Sequence, residues 1–170
     1  GVRKQEKEKV DKYLKLAKAM SRLIAATPFV RGIMLSGSLS KLRMYKNADI
    51  DYFIITKPGG LWISRTLLTL FKKIFLLNSY KLFCLNYFID TQSLTIKDQD
   101  RYTATEIITL IPTLNQQLYN GFIQSNQWVR QYYPGFKKND LQMVLKKRPH
   151  YIKTAIAKVL SGRFGKKLDD

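Results

Sequence analysis

The sequence predicts an α+β fold: a small β-sheet with helices packed on it, followed by a helical extension at its C-terminal side. Three observations predict it. Apolar residues recur with helical spacing in two stretches and with strand-like density in three, in the order helix, strand, strand, helix, strand. Proline, glycine and asparagine punctuate the boundaries between these stretches. Beyond Asp90 the texture turns polar and then helical, which divides the chain into a core over residues 1–100 and an extension over 101–170 that ends in a basic tail.

Val2 to Ala26 reads as an amphipathic helix, with Val10, Leu14, Ala17, Met20 or Ser21, and Ile24 on one face and Lys, Arg and Glu between them. Thr27-Pro28 stops it. Phe29 to Leu35 is a short apolar strand, Ser36-Gly37-Ser38 a turn, and Leu39 to Lys46 a polar connection. Asp49 to Thr56 is the plainest strand; past its aspartates it is apolar on both faces, the pattern of a central strand covered on both sides. Lys57-Pro58-Gly59-Gly60 ends it. Leu61 to Leu77 reads as a helix whose core stripe is Leu67, Leu68, Phe71, Ile74 and Phe75, with Arg65, Thr69, Lys72 and Lys73 on the other face. Leu82 to Ile89 is a third strand, ending at Asp90. Gln92 to Arg101 is loop-like, with room for a short strand at Leu94 to Ile96. Thr103 to Leu110 is a helix broken by Pro112, Asn115 to Tyr132 a further helix stopped by Pro134-Gly135, and Tyr151 to Leu160 a basic helix.

Composition bounds the chemistry. The chain has 170 residues, 45% of them apolar, enough for one packed domain or a core with a helical appendage. A formal charge of +18 and a pI near 10.0 favour polyanionic partners: nucleotides, nucleic acid or an anionic membrane surface. Cys84 is the single cysteine and His150 the single histidine. Internal disulfides and cysteine zinc clusters are therefore excluded, histidine-based triads and multi-histidine metal sites are poor candidates, and Cys84, in an apolar run, reads as a small buried side chain. Enzymatic chemistry here must come from carboxylates, hydroxyls and metal. Gly1 to Val10 is charged, unlike a secretory leader, and Gly1 in first place leaves room for a segment before it. Leu61 to Leu77 is short and interrupted by Arg65, Lys72 and Lys73, which makes an integral membrane span a poor reading. A cytoplasmic protein is the simplest expectation.

The informative unit is Leu35-Ser36-Gly37-Ser38, a ten-residue gap, then Asp49-Ile50-Asp51. Within a strand, residues i and i+2 point to one face, so Asp49 and Asp51 are expected side by side. Two like charges there are costly unless a cation sits between them. Magnesium, or manganese, suits such oxygen ligands and shares its shell with substrate phosphates. Two such ions about 4 Å apart can activate an attacking hydroxyl and steady a departing pyrophosphate. The Gly37-Ser38 turn offers backbone N–H groups and a hydroxyl to phosphate oxygens, and glycine allows close approach. Lys41, Arg43 and Lys46 follow in the gap and can neutralise phosphate charge.

The stretch from Met34 to Ile55, with Gly37-Ser38 and Asp49-Ile50-Asp51-Tyr52-Phe53-Ile54-Ile55, resembles the signature of the DNA polymerase β-like nucleotidyltransferase superfamily, in particular its small bacterial members. The match covers about Phe29 to Asp90, roughly a third of the chain. The resemblance implies a nucleotidyltransferase fold with a small mixed β-sheet flanked by helices, magnesium at Asp49 and Asp51, and a nucleoside triphosphate such as ATP at Gly37, Ser38, Lys41 and Arg43. It also implies transfer of a nucleoside monophosphate to an acceptor hydroxyl. Two positions depart from the family pattern: Ala48 stands where members often have Ser, and the gap from Leu39 to Ala48 has no Gly.

The family usually carries a third carboxylate on the next strand. The equivalent position here is Asn86, and Asp90 lies four residues on, about 13 Å at strand rise. The expectation is that Asp90 serves as third ligand or base; the alternative is that, with Asn86 in place of a carboxylate, one metal site is weakened. Glu106 follows Thr103 at capping-box spacing and reads as a helix cap. Tyr119, Phe122, Trp128, Tyr132 and Tyr133 read as core, while Asn115, Gln116, Gln117, Asn120, Gln124, Asn126 and Gln127 are candidates to line a substrate groove. Residues 137–167 hold ten Lys or Arg and a single Asp. Three functions follow: a metal-dependent nucleotidyltransferase; a degraded module of that fold binding nucleotide, RNA or a partner protein; or a basic peripheral membrane protein using the Leu61 helix and the tail.

Overall fold

A computed structural model of the chain describes residues 2–43, 48–76, 83–137 and 143–145. In order they form α1 (Val2–Ala26), β1 (Val30–Ser36), α2 (Gly37–Ser40), β2 (Asp51–Thr56), α3 (Leu61–Phe75), β3 (Cys84–Asp90), α4 (Arg101–Thr109), β4 (Ile111–Leu114) and α5 (Gln116–Ser125), followed by a 3-10 turn over Gln127–Gln131. The four strands make one mixed sheet in the order β3-β2-β1-β4. β1 runs antiparallel to β2 and to β4, and β2 runs parallel to β3. A parallel pair needs a long crossover, which α3 supplies.

Strand alternation sorts the core into two layers. Ile33 and Leu35 of β1 and Tyr52 and Ile54 of β2 point to one face, where they meet Val10, Ala17 and Ile24 of α1 and Leu68 of α3. Met34, Phe53, Ile55 and Ile89 point to the other, against Ala104 and Ile107 of α4 and Tyr119, Phe122 and Ile123 of α5. Helices thus cover both faces, as the two-sided hydrophobicity of β2 predicts.

The structure departs from expectation where tertiary contacts override local signals. Pro112 does not merely break a helix; it lies in β4, an edge strand beside β1, where a missing N–H is tolerated. The Thr113 hydroxyl donates to the Ile33 carbonyl at 3.2 Å, and Leu145 N–H donates to the Thr113 carbonyl at 2.8 Å. β4 joins the sheet, and α4 and α5 pack on its face. The helix expected over Asn115 to Tyr132 is interrupted at Asn126, which is fully buried. Its side chain accepts from Ile96 N–H at 2.8 Å and Trp128 Nε1 at 3.1 Å, and donates to the Leu94 and Phe122 carbonyls, both at 2.8 Å. Asn126 is therefore a staple between the 91–100 loop and α5 rather than a groove residue, and Leu94 to Ile96 is held by it without forming a strand. On α3 the buried side is Ser64, Leu68 and Lys72, so Lys72 exchanges faces with Ile74 and Phe75, which are exposed. The basic helix expected at Tyr151 to Leu160 lies outside the described residues.

Candidate functional site

The site grows from the end of β1. Gly37 has φ +66, a conformation that L side chains rarely adopt. A Cβ there would sit 2.0 Å from Asp51 Oδ2 and 2.9 Å from Asp51 Cγ. The glycine therefore does two things at once: it turns the chain from β1 into α2, and it lets the backbone lie against the Asp51 carboxylate. Antiparallel pairing sets the register that brings them together, since Ser36 is the cross-strand partner of Asp51.

Because β1 turns away at Gly37, β2 begins at Asp51, and Asp49 precedes the strand rather than alternating within it. The two aspartates still act on each other. Burial holds the Asp51 carboxyl above the ordinary carboxylate range, and the charges of Asp49 and Glu106 add to that, while a hydrogen bond from Cys84 and the charge of Lys41 oppose it. Cys84 is the parallel-strand partner of Asp51. Burial and the adjoining Asp51 push its thiol up to about 11, so it stays protonated at neutral pH. It is part-exposed, a donor to the acidic site rather than the buried filler expected of it.

Glu106 was expected as a cap, but Asp100 takes that role, accepting from Thr103 N–H at 2.7 Å. Glu106, two turns into α4, reaches across to α2. Its Oε2 accepts from Gly37 N–H at 3.3 Å and its Oε1 pairs with Lys41 Nζ. The Ser40 hydroxyl donates to the Gly37 carbonyl at 2.9 Å and reaches Thr109 Oγ1 at 3.5 Å, a second link between α2 and α4. The one sequence signal that could have flagged Glu106 is that a stronger N-cap, Asp100, precedes Thr103.

The expected third-strand positions separate. Asn86 is the extra residue of a bulge in β3, between the pairs Tyr52–Leu85 and Phe53–Tyr87. Its amide reaches Ser36 Oγ at 3.5 Å. Asp90 does not join Asp49 and Asp51: the parallel register places it beside Thr56, at the other end of β2, about 17 Å along the strand from Asp51. Its carboxylate accepts from Gln92 and Ser93 N–H at 2.9 and 3.1 Å, closing the turn that follows β3. Ser38 lies on α2, its carbonyl accepting from Lys41 and Arg43 N–H at 3.2 and 3.0 Å. Arg43 is exposed, and Lys46 lies outside the described residues.

Beside Glu106 a cavity of about 160 Å³ opens between α4 and the sheet. Phe53, Ile107 and Leu110 form its apolar floor, Ser36, Asn86 and Glu106 its polar wall. Tyr87, which stacks on Phe53 at 5.1 Å, and exposed Tyr102 also line it.

Among the described residues no group of three or more His, Cys, Asp or Glu side chains is arranged to hold a metal ion. Two carboxylates, Asp49 and Asp51, act on each other at the start of β2, and magnesium is an ion that takes one or two carboxylates and fills the rest of its shell with other oxygens. Burial first, and then the charges of Asp49 and Glu106, raise the Asp51 carboxyl, and a nearby cation opposes this, as Lys41 does. Compared with protein-family models, with curated proteins and with solved structures, the chain matches none.

Proposed function

We propose that the chain is a metal-dependent nucleotidyltransferase of the polymerase β-like type, with Asp49 and Asp51 as magnesium ligands and Gly37, Ser38, Lys41 and Arg43 receiving the triphosphate. The observation that carries this reading is the contact between Gly37 and the Asp51 carboxylate. It joins the two halves of the motif at one point, as transfer from a triphosphate held by a metal would require. Lys41 stands at the same point. In the reaction, an acceptor hydroxyl oxygen attacks the α-phosphorus, the bond to the β-phosphate oxygen breaks, and pyrophosphate leaves. When bound, magnesium neutralises the phosphate charge. Glu106 takes over the role expected of Asp90, as the carboxylate that accepts the hydroxyl proton, and the cavity beside it receives the acceptor.

A second reading is a degraded module that binds nucleotide, RNA or a protein without turnover. The distance of Asp90 from the site and the amide at Asn86 favour it. Calorimetric titration with magnesium and a non-hydrolysable triphosphate tests the shared core of both. Binding that requires magnesium, is lost in Asp49→Ala/Asp51→Ala and survives in Asp90→Ala supports the site; no binding to the wild type removes it. Pyrophosphate release from ATP, lost in Glu106→Gln while binding persists, then separates the enzyme from the module.

A further inference from the structure

α3 has a second apolar face that is exposed among the described residues. Its core side is Ser64, Leu68 and Lys72. Turned away from it, Ile63, Leu70 and Ile74 fall within about 40° of helical arc at 100° per residue. These three are 37%, 51% and 59% exposed, with Trp62 beside them at 73% and Phe75 closing the helix at 69%. Ten large apolar side chains are exposed among the described residues, and five of them belong to this one helix. Single exposed apolar residues need no explanation, but a contiguous row does.

The charge on the helix points to the occupant. α3 contains Arg65, Lys72 and Lys73 and no acidic residue. The Arg65 guanidinium lies between the Trp62 ring, 5.9 Å from its centroid, and the Phe88 ring of β3, 5.8 Å from its centroid, at the border of this face, and Lys73 lies exposed in the last turn. A second copy is a poor fit, because a two-fold pairing of this face would bring the exposed Lys73 against a helix that carries no carboxylate to meet it. An anionic bilayer surface satisfies both features: basic side chains pair with lipid headgroups, and Trp with bulky aliphatics enters the headgroup–acyl boundary. α3 lies along such a surface rather than through it. Its fifteen residues span about 22 Å, short of a hydrocarbon core of about 30 Å, and no described helix is long and apolar enough to cross a membrane.

We propose that the Trp62–Ile63–Leu70–Ile74 face of α3 docks the protein on anionic lipid membranes as a peripheral contact, independently of the proposed nucleotide site. The test is flotation of the full chain with phosphatidylcholine vesicles and with mixed phosphatidylserine–phosphatidylcholine vesicles, alongside Trp emission. The expected result is binding to the mixed vesicles only, with a blue shift that Trp62→Phe removes. Leu70→Glu and Ile74→Glu, both at exposed positions and checked for unchanged circular dichroism, should each weaken partitioning by about tenfold or more. Partitioning unaffected by either substitution would overturn the proposal and hand binding to another basic surface. So would absence of vesicle binding, or a dimer in sedimentation equilibrium that Leu70→Glu dissolves.

Discussion

Two residues, Gly37 and Asp51, show how the site is built and what it costs. Asp51 keeps its proton to higher pH in the folded chain than the ordinary carboxylate value of 3.8 in an unfolded one, because burial disfavours its charge. Over the window from that value up through the raised one, the folded state binds more protons than the unfolded state. Stability from this group is therefore present at acid pH and is lost as pH rises. Ionised Asp51 is a stability cost at neutral pH that a bound cation would offset. Asp51→Asn is accordingly expected to raise the melting temperature at neutral pH by a few degrees, about 2–4 °C per kcal/mol for a domain of this size, while abolishing magnesium-dependent nucleotide binding. The gain should shrink towards acid pH; thermal melts across pH that show a pH-independent gain, or a loss, would refute the account. Gly37→Ala meets both the positive φ and the Asp51 carboxylate, and should cost about 1–3 kcal/mol in chemical denaturation together with nucleotide binding. The Gly-Ser turn and the aspartates were legible because each is a local signal. The role of Glu106 was not, because its Gly37 partner lies 69 residues away.

At the scale of elements, the site depends on one turn, one cap and one register. The turn at Gly37 ends β1 and thereby sets where β2 starts. The cap at Asp100 sets where α4 begins and so where Glu106 points. Asp100→Ala should lower stability and weaken the proposed nucleotide binding although the residue lies outside the site. Equal stability with unchanged binding in a denaturant series and a calorimetric titration would show that α4 is positioned by packing alone. The register of β3 decided the third carboxylate. Sequence alternation could place Asn86, Phe88 and Asp90 on one face in an ideal strand, but the bulge at Asn86 breaks that alternation, and parallel pairing with β2 fixes which end each residue occupies.

For the whole molecule, the decisive fact is that one sheet carries two hydrophobic faces. α1 and α3 cover the first, and α4, α5 and the segment around Val129 cover the second. A chain cut after residue 100 loses β4 and would expose Met34, Phe53, Ile55 and Ile89. Exposing large side chains of this kind costs about 1.5–3 kcal/mol each, which together rivals the whole stability of a domain. Residues 1–100 alone should therefore fail to fold cooperatively, as thermal melts and limited proteolysis would report. A sharp native-like transition from that fragment would instead support the two-part division read from the sequence.

Local periodicity was enough to identify α1, β1, β2, α3 and β3 and the turn-plus-aspartate motif, because each signal comes from residues a few positions apart and depends on backbone geometry that neighbours dictate. Tertiary structure alone decided the rest: that Pro112 lies in an edge strand, that Lys72 faces inward while Ile74 faces out, that Asp90 stands apart from Asp51, and that Glu106 and Lys41 meet at Gly37. These outcomes depend on pairing register and on which side of the sheet each helix covers, quantities set between segments distant in sequence and invisible in any one of them.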